Sequence, residues 1–268
     1  GRGRCSTCRT RVVVGGDGLT PPDERELKLL KRVSAAPNVR LACQAKASKD
    51  CKIYPLLQSG KPEDGFERDA HLRGQELEVT VLFADLRGFT KMSEKKLPYD
   101  LVFVLNEYFR VMGEAIEEHN GYLDKFIGDG IMALFGIKGK DSGAREALAA
   151  AAAMSCALEE LNRTLEADLT EPLKLGIGLH SGPAVVGKMG YGPATQVTAI
   201  GDTVNQASRM ESSSKELGCQ LVISGETASR CKMDLSNYPE TDIKIRGVEA
   251  PVKVLKVADA ASLTIPAY

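Results

Sequence analysis

The sequence predicts an α+β fold: a βαββαβ unit forming one sheet with helices on one face, preceded by a smaller region of different character. Three observations predict it. From Leu77 onward, short apolar runs alternate with long stretches of helical periodicity, as strands interleaved with helices do. Between two of those runs sits Gly128-Asp129-Gly130, which reads as the turn of a hairpin. The front of the chain is set apart by its cysteines: Cys5, Cys8, Cys43 and Cys51 fall within the first 51 residues, whereas Cys156, Cys219 and Cys231 are scattered singly.

In chain order, Arg11 to Val14 is a β-branched run that ends at Gly15-Gly16, a turn signal. After Pro21-Pro22, Asp23 to Val33 carries apolar residues at 27, 29, 30 and 33, a short helix stopped by Pro37, and Val39 to Ala42 reads as a strand. Pro55 and the Gly-, Pro- and charge-rich stretch Ser59 to Gly65 mark a boundary. Val79 to Ala84 is a continuous apolar strand of the buried type. Tyr99 to Glu118 has an apolar helical stripe and ends at Asn120-Gly121. Tyr122 to Ile127 and Ile131 to Phe135 bracket the hairpin turn. Gly143 to Leu165 is a second long helix and Leu173 to His180 a strand. Val204 to Leu217 reads as a third helix, with strands near Gln220 to Ile223 and Asp242 to Ile245. The domain expectation is 1–58, a linker 59–76, a main domain 77–258 and a tail 259–268.

Composition narrows the function classes. The 268 residues include 35 basic and 36 acidic ones, a net charge of −1, which excludes the strong cationic field of a general nucleic-acid binder. Hydrophobic residues make up 43%, enough for a sizeable core, yet no apolar run reaches the length of a membrane span. Ala147 to Leu158 comes nearest and is short, alanine-rich and flanked by charge. No secretory leader is visible, and a chain that begins at Gly1 is expected to be a fragment or a processed form. Seven cysteines in this arrangement argue against a disulfide scaffold and for a metal site at the front.

The chemistry-bearing pair is Asp85, at the end of the first buried strand, and Asp129, at the hairpin tip. In a βαββαβ sheet the first and third strands are neighbours, so both carboxylates arrive at one sheet edge. That arrangement suits Mg²⁺ or Mn²⁺ held together with substrate phosphates. Behind Asp85, the Gly88-Phe89-Thr90 turn opens the next helix, and its backbone N–H groups suit a polyphosphate. Taken singly, Asp85 reads as a cap and Asp129 as a turn residue; together, at this spacing, the metal reading is the stronger.

Phe83-Ala84-Asp85-Leu86-Arg87-Gly88-Phe89-Thr90, then Tyr122 to Ala133 (YLDKFIGDGIMA), then Ile200 to Arg209 (IGDTVNQASR) resemble the class III adenylyl/guanylyl cyclase homology domain in three ordered blocks over about residues 75–257. The resemblance implies a ferredoxin-like βαββαβ nucleotide cyclase domain. It further implies metal binding by Asp85, Leu86 and Asp129, two Mg²⁺ or Mn²⁺ per site, and phosphate binding at Gly88, Phe89 and Thr90. Lys125 matches the adenine contact, where guanylyl cyclases usually carry Glu. Thr198 matches its partner, and Thr there resembles the bicarbonate-responsive subgroup; a hydroxyl can accept from the adenine amine. Asn205 and Arg209, four apart on one helix face, match the residues that orient the ribose and stabilise charge on the α-phosphate. Lys244 matches the lysine on the terminal phosphates, with Arg246 as the fallback. The implied reaction converts ATP to 3′,5′-cyclic AMP and pyrophosphate in a homodimer whose sites are shared. A guanylate cyclase, or a regulatory module bearing an inactive cyclase fold, is the alternative. His180, at a strand end, is read as a core histidine, and His71 and His119 as surface residues.

At the front, Cys5-x₂-Cys8 and Cys43 resemble the second, third and fourth ligands of a plant-type [2Fe–2S] ferredoxin domain, here an incomplete β-grasp ferredoxin segment whose first ligand is missing. The thiols are therefore expected free in this chain and the cluster present only in a longer protein; Cys51 lies beyond the expected fourth ligand. Similar proteins sometimes place a membrane region upstream. The expected location is cytoplasmic, at the inner membrane face where such a region exists, with redox state or bicarbonate as regulators.

Overall fold

A computed structural model describes residues 8–56, 73–93, 96–139, 141–245 and 250–265. Cys5, His71, Arg246 and most of the expected linker lie outside the described residues. The chain divides into two units, Gly1–Gln75 and Glu76–Tyr268.

In the first unit, β1 (Arg9–Val14), α1 (Glu24–Arg32), β2 (Val39–Leu41) and β3 (Lys52–Pro55) form a three-stranded antiparallel sheet, in the order β2-β1-β3, and one helix. β3 was not foreseen from the sequence; its residues are all exposed, so burial periodicity gives no signal. The Asp23 side chain caps α1 by accepting from the Glu26 N–H at 2.7 Å. Glu26 then ties the helix to β2. Its carboxylate accepts two bonds from Arg40, at 2.8 and 2.9 Å, and one from the Leu41 N–H at 2.7 Å. Burial alone would raise this carboxyl, but the three donors outweigh it and hold it below its usual value.

The second unit is built on an eight-stranded sheet. Its chain order is β4 (Arg73–Leu86), α2 (Phe89–Ser93), α3 (Pro98–Glu118), β5 (Tyr122–Ile127), β6 (Gly130–Phe135), α4 (Ala144–Thr164), β7 (Leu175–Met189), β8 (Gln196–Ile200), α5 (Asp202–Glu216), β9 (Leu221–Ser224), α6 (Gly225–Arg230), β10 (Glu240–Ile243) and β11 (Val252–Val257). The strands lie in the order β10-β11-β9-β7-β4-β6-β5, with β8 paired to β7. The βαββαβ unit, β4 through β7, is the mixed α+β core that the periodicity predicts, with β4 beside β6.

Two features depart from the expectation. β7 does not stop at His180 but runs through Gly182-Pro183 to Met189. Its first half pairs with β9 at Ile177 to Leu179 and its second with β8 at Val185 to Met189; the proline falls between those ladders, where a missing N–H costs least. Second, α3 and α4 of the βαββαβ unit share one face, as expected, but α5, which follows that unit, does not join them. Leu221 and Ile223 of β9 join the main core with α3 and α4, while Val222 between them packs with Met210 of α5, so alternation along the strand puts α5 on the opposite face. Ala260 and Leu263, in the expected tail, are buried in the main core.

α5 rests almost directly on the β7 backbone. A Cβ added at Gly178 would lie 2.2 Å from the Glu211 nitrogen, and one at Gly176 would lie 2.9 Å from Glu211 Oε1. Gly178→Ala should therefore force α5 off the sheet, costing about 1–3 kcal/mol and lowering the melting temperature by roughly 2–12 °C for a unit of this size. Gly113→Ala, mid-helix with its nearest neighbour at 3.8 Å, is the control and should be neutral or stabilising. Equal melting temperatures for the two variants would show that the approach is not tight.

Candidate active site

Pairing of β4 with β6 sets the acidic end of the site. Ala84 faces Ile131, so the next residue, Asp85, arrives over Gly130, where an added Cβ would lie 3.3 Å from Asp85 Oδ1. The Asp85 and Asp129 carboxylates lie close enough to act on each other directly. Burial first, and then the charge of Asp129, push the Asp85 carboxyl up to about 6. Two half-buried carboxylates this close, with the Leu86 carbonyl adjoining, fit a divalent cation that takes few protein ligands and completes its shell with phosphate oxygens. Gly88 follows with φ of 76°, a left-handed turn that leads into the five-residue α2. Phe89 packs against the core; the Thr90 side chain lies outside the described residues. On α3, Tyr108 is fully buried with no hydrogen bond to its hydroxyl, and burial followed by the Asp85 charge pushes its phenol well above the usual range.

Behind the carboxylates lies a group the sequence reasoning missed. Arg87 donates to Ser214 Oγ at 2.9 Å and to the Cys219 carbonyl at 2.5 Å. Glu211, two residues beyond Arg209, is pushed up to about 7, first by burial and then by the Asp85 charge. Its local sequence carries no signal, because only the close approach of α5 to Gly176 and Gly178 buries it.

The other cluster lies on β5 and β8. Lys125 Nζ donates to Thr198 Oγ1 at 2.6 Å, and Thr198 Oγ1 donates to Asp124 Oδ2 at 2.5 Å. The Asp124 side chain is wholly buried, and Lys125 Nζ stands 3.1 Å from its Oδ1. That contact is an ion pair outside hydrogen-bond alignment, so Oδ1 has no hydrogen bond. The β5 register shifts here: Leu123 faces Ala133 and Lys125 faces Met132, making Asp124 the bulged residue. Asp124 was also missed from the sequence; adjacent opposite charges, Asp124 and Lys125, inside a strand of large apolar residues were the available signal.

Asn205 and Arg209 stand on α5, exposed and half-buried respectively, and neither side chain has a partner among the described residues. Lys244 is exposed just beyond β10, the edge strand. Four strand spacings separate β10 from β4, about 19 Å, so Lys244 is not brought to the carboxylates of its own chain. His180 is buried on β7, its Nδ1 3.9 Å from Glu226 and its pKa lowered chiefly by burial. His119 closes α3, its Nδ1 2.8 Å from the Ala115 carbonyl. In the first unit, Cys8 Sγ and Cys43 Sγ come within 3.1 Å across 35 residues, whereas Cys51 makes no such contact among the described residues.

Glu211 generates a stability prediction. Its folded pKa, about 7, stands above its ordinary value of 4.5, so the native state holds the extra proton between those values. Stability from this group is full below pH 4.5 and lost as pH rises through about 7. In chelator, Glu211→Gln should therefore melt at a higher temperature than wild type at pH 8 and show a shallower decline between pH 5 and 8. Parallel pH profiles for the two proteins would show that Glu211 titrates normally.

The sequence profile of the adenylate and guanylate cyclase catalytic domain matches residues 73–257. The chain is 37% identical over 186 residues to an adenylate cyclase of Anabaena cylindrica, covering 67% of this chain and 36% of that protein. It is 34% identical over 181 residues to adenylate cyclase 1 of Rhizobium meliloti, covering 67% and 27% respectively. The chain thus spans about a third of the length of these curated relatives. Among solved structures, the guanylyl cyclase Cya2 superposes with a TM-score of 0.65 at 34% identity, over 72% of this chain and 99% of that one. The adenylyl cyclase CyaB from P. aeruginosa superposes at 0.61 and 32%, over 70% and 97%. A profile match over most of the chain, on a sheet that brings two carboxylates together where β4 meets β6, leads to one assignment: the chain belongs to the adenylate and guanylate cyclase catalytic-domain family.

Proposed function

We propose that the second unit is an adenylate cyclase, converting ATP to 3′,5′-cyclic AMP and pyrophosphate as a homodimer. The observation that carries the choice of ATP is the Lys125 ammonium held 2.6 Å from Thr198 Oγ1. A lysine only donates, which matches the bare N1 of adenine and opposes the N1–H of guanine. That a superposing structure is a guanylyl cyclase makes the purine the first point to test.

In the reaction, the ribose 3′-oxygen forms a bond to the α-phosphorus and the bond from that phosphorus to pyrophosphate breaks; the hydroxyl proton leaves to water. Asp85, Asp129 and the Leu86 carbonyl would hold two Mg²⁺ or Mn²⁺, which supply positive charge to the triphosphate and acidify the 3′-hydroxyl when bound. The backbone of Gly88, Phe89 and Thr90 receives phosphate oxygens. Asn205 orients the ribose, Arg209 neutralises charge on the α-phosphate, and Lys244 takes the terminal phosphates. Such chemistry is mostly positioning and charge stabilisation.

The distance of Lys244 from the carboxylates of its own chain supports a site shared between two protomers. So does the exposed apolar surface. Tyr99, Val102 and Phe103 on α3 and Phe126 and Ile127 on β5 are all exposed, and Phe126 stacks on Phe109 of α3 at 4.1 Å, which joins the two sets. Thr198 is the feature that favours bicarbonate as a regulator. Residues 1–58 are read as the later part of a [2Fe–2S] ferredoxin segment, supported by the approach of Cys8 to Cys43. Cys5, Cys8 and Cys43 would be ligands, and the group would supply one-electron redox chemistry.

Asp85→Ala or Asp129→Ala should lower turnover at least about a thousandfold, near 4 kcal/mol of barrier, with the dimer retained. Asp85→Ala and Arg209→Ala proteins, each inactive alone, should recover up to about a quarter of the wild-type rate on mixing, because random pairing leaves half of the chains in heterodimers and each heterodimer has one intact site. Heterodimers seen by native mass spectrometry without recovered activity would refute the shared site. Product analysis with ATP and GTP in Mn²⁺ tests the purine; cyclic GMP as the main product would overturn the adenylate reading.

The front segment has its own test. With three expected ligands, the chain should purify colourless, and Cys8→Ala and Cys43→Ala should leave cyclase rates unchanged. A brown protein with about two irons per protomer would show that another ligand completes the cluster.

A further inference from the structure

We propose that Asp124 is a positioning residue for purine selection: its buried carboxylate takes the hydroxyl proton of Thr198, so that Thr198 Oγ1 can only accept. This rests on the reading that Lys125 and Thr198 face the purine. The argument begins with proton inventory. A threonine hydroxyl has one proton to give and two lone pairs to receive with. An ionised carboxylate only accepts and an ammonium only donates. Thr198 lies between one of each, 2.5 Å from Asp124 Oδ2 and 2.6 Å from Lys125 Nζ, so the direction of both bonds is settled. The threonine proton goes to Asp124, and its oxygen is left as an acceptor.

An oxygen so prepared accepts from the amino group of adenine and opposes the carbonyl of guanine, whose lone pairs would meet its own. Asp124 thus turns an ambivalent hydroxyl into a one-way reader. It also supports the second reader, because its carboxylate keeps the Lys125 ammonium paired in a largely buried setting.

The local structure is built for this. Asp124 is the bulged residue of β5, and bulges re-aim side chains beside functional sites. A wholly buried carboxylate is costly unless it is paired, and among the described residues every hydrogen bond it receives comes from the two candidate purine contacts. Its Oδ1 has no hydrogen bond at all, so the fold does not use this carboxylate to satisfy backbone groups elsewhere.

The test compares kcat and KM for ATP and GTP in the full chain with Mn²⁺, for wild type, Asp124→Asn, Thr198→Val and the double variant. Asp124→Asn keeps the shape and removes the charge: its amide carries donors as well as an acceptor, so it no longer compels Thr198 to donate inward, and the hydroxyl is freer to point its proton at the purine. The ATP-to-GTP ratio of kcat/KM should fall about tenfold or more, mostly through a higher KM for ATP, with kcat for ATP held within about threefold. Binding of 3′-deoxy-ATP, measured by calorimetry, should weaken by a similar factor. In the Thr198→Val background, Asp124→Asn should change the ratio less than about twofold, and Asp124→Glu should restore part of the selectivity. Should the asparagine variant not fold, Asp124→Ser carries the same expectation.

An unchanged ratio in a folded, dimeric Asp124→Asn protein overturns the proposal while leaving the adenylate reading intact. A tenfold further loss in the Thr198→Val background also overturns it, since Asp124 would then act without Thr198. A wild type that prefers GTP overturns both.

Discussion

The antiparallel pairing of β4 with β6 is the constraint on which the acidic site depends. Every residue of β6 is buried, so a slip of one position would exchange the side chains packed on its two faces and misfit both. The register is therefore held by the whole strand, and it delivers Asp85 to Asp129 whether or not the two carboxylates favour the meeting. They do not favour it: burial and mutual repulsion raise the Asp85 carboxyl to about 6. Apolar packing holds together a pair of carboxylates that water would separate, an arrangement whose charge suits a cation.

The cluster on β5 and β8 follows the opposite physical logic. Asp124, Lys125 and Thr198 satisfy one another, charge against charge and donor against acceptor. The acidic end is charged and unbalanced, whereas this end is neutral and directional. One suits attraction of a cation and a polyphosphate; the other suits discrimination between bases that differ in where their protons lie. α5 presents Asn205 and Arg209 without side-chain partners among the described residues, and its seat on Gly178 fixes where they stand.

The first unit has a different organising contact. Glu26 accepts from both Arg40 and the Leu41 backbone, so α1 and β2 are joined through one buried carboxylate. Cys43 follows β2 by two residues and Cys8 precedes β1 by one, and the β1–β2 pairing is what brings their sulfurs together. Two thiols gathered by sheet register parallel the two carboxylates gathered by β4 and β6.

Much was legible in the residues alone, and the limits follow from the range of the forces involved. Local periodicity determined β5 at Tyr122–Ile127 and α3 and α4 to within a residue at either end, because a helical or strand face repeats within one window. The juxtaposition of Asp85 and Asp129 was readable as well, since βαββαβ topology makes the first and third strands neighbours. β8 and α6 escaped because they are short and owe their form to partners far along the chain, and β11, as long as β5, was missed although Val252 to Val257 carries strand-type valines. The passage of β7 through Gly182-Pro183 escaped because a proline is a break signal locally and a tolerated residue between two ladders. Only the tertiary structure decided that α5 lies on the opposite face, that Glu211 is buried behind the carboxylates, and that the bulge at Asp124 aims a buried charge at Thr198. Each of these depends on which distant backbone comes close, and a one-dimensional pattern of polarity does not encode that approach.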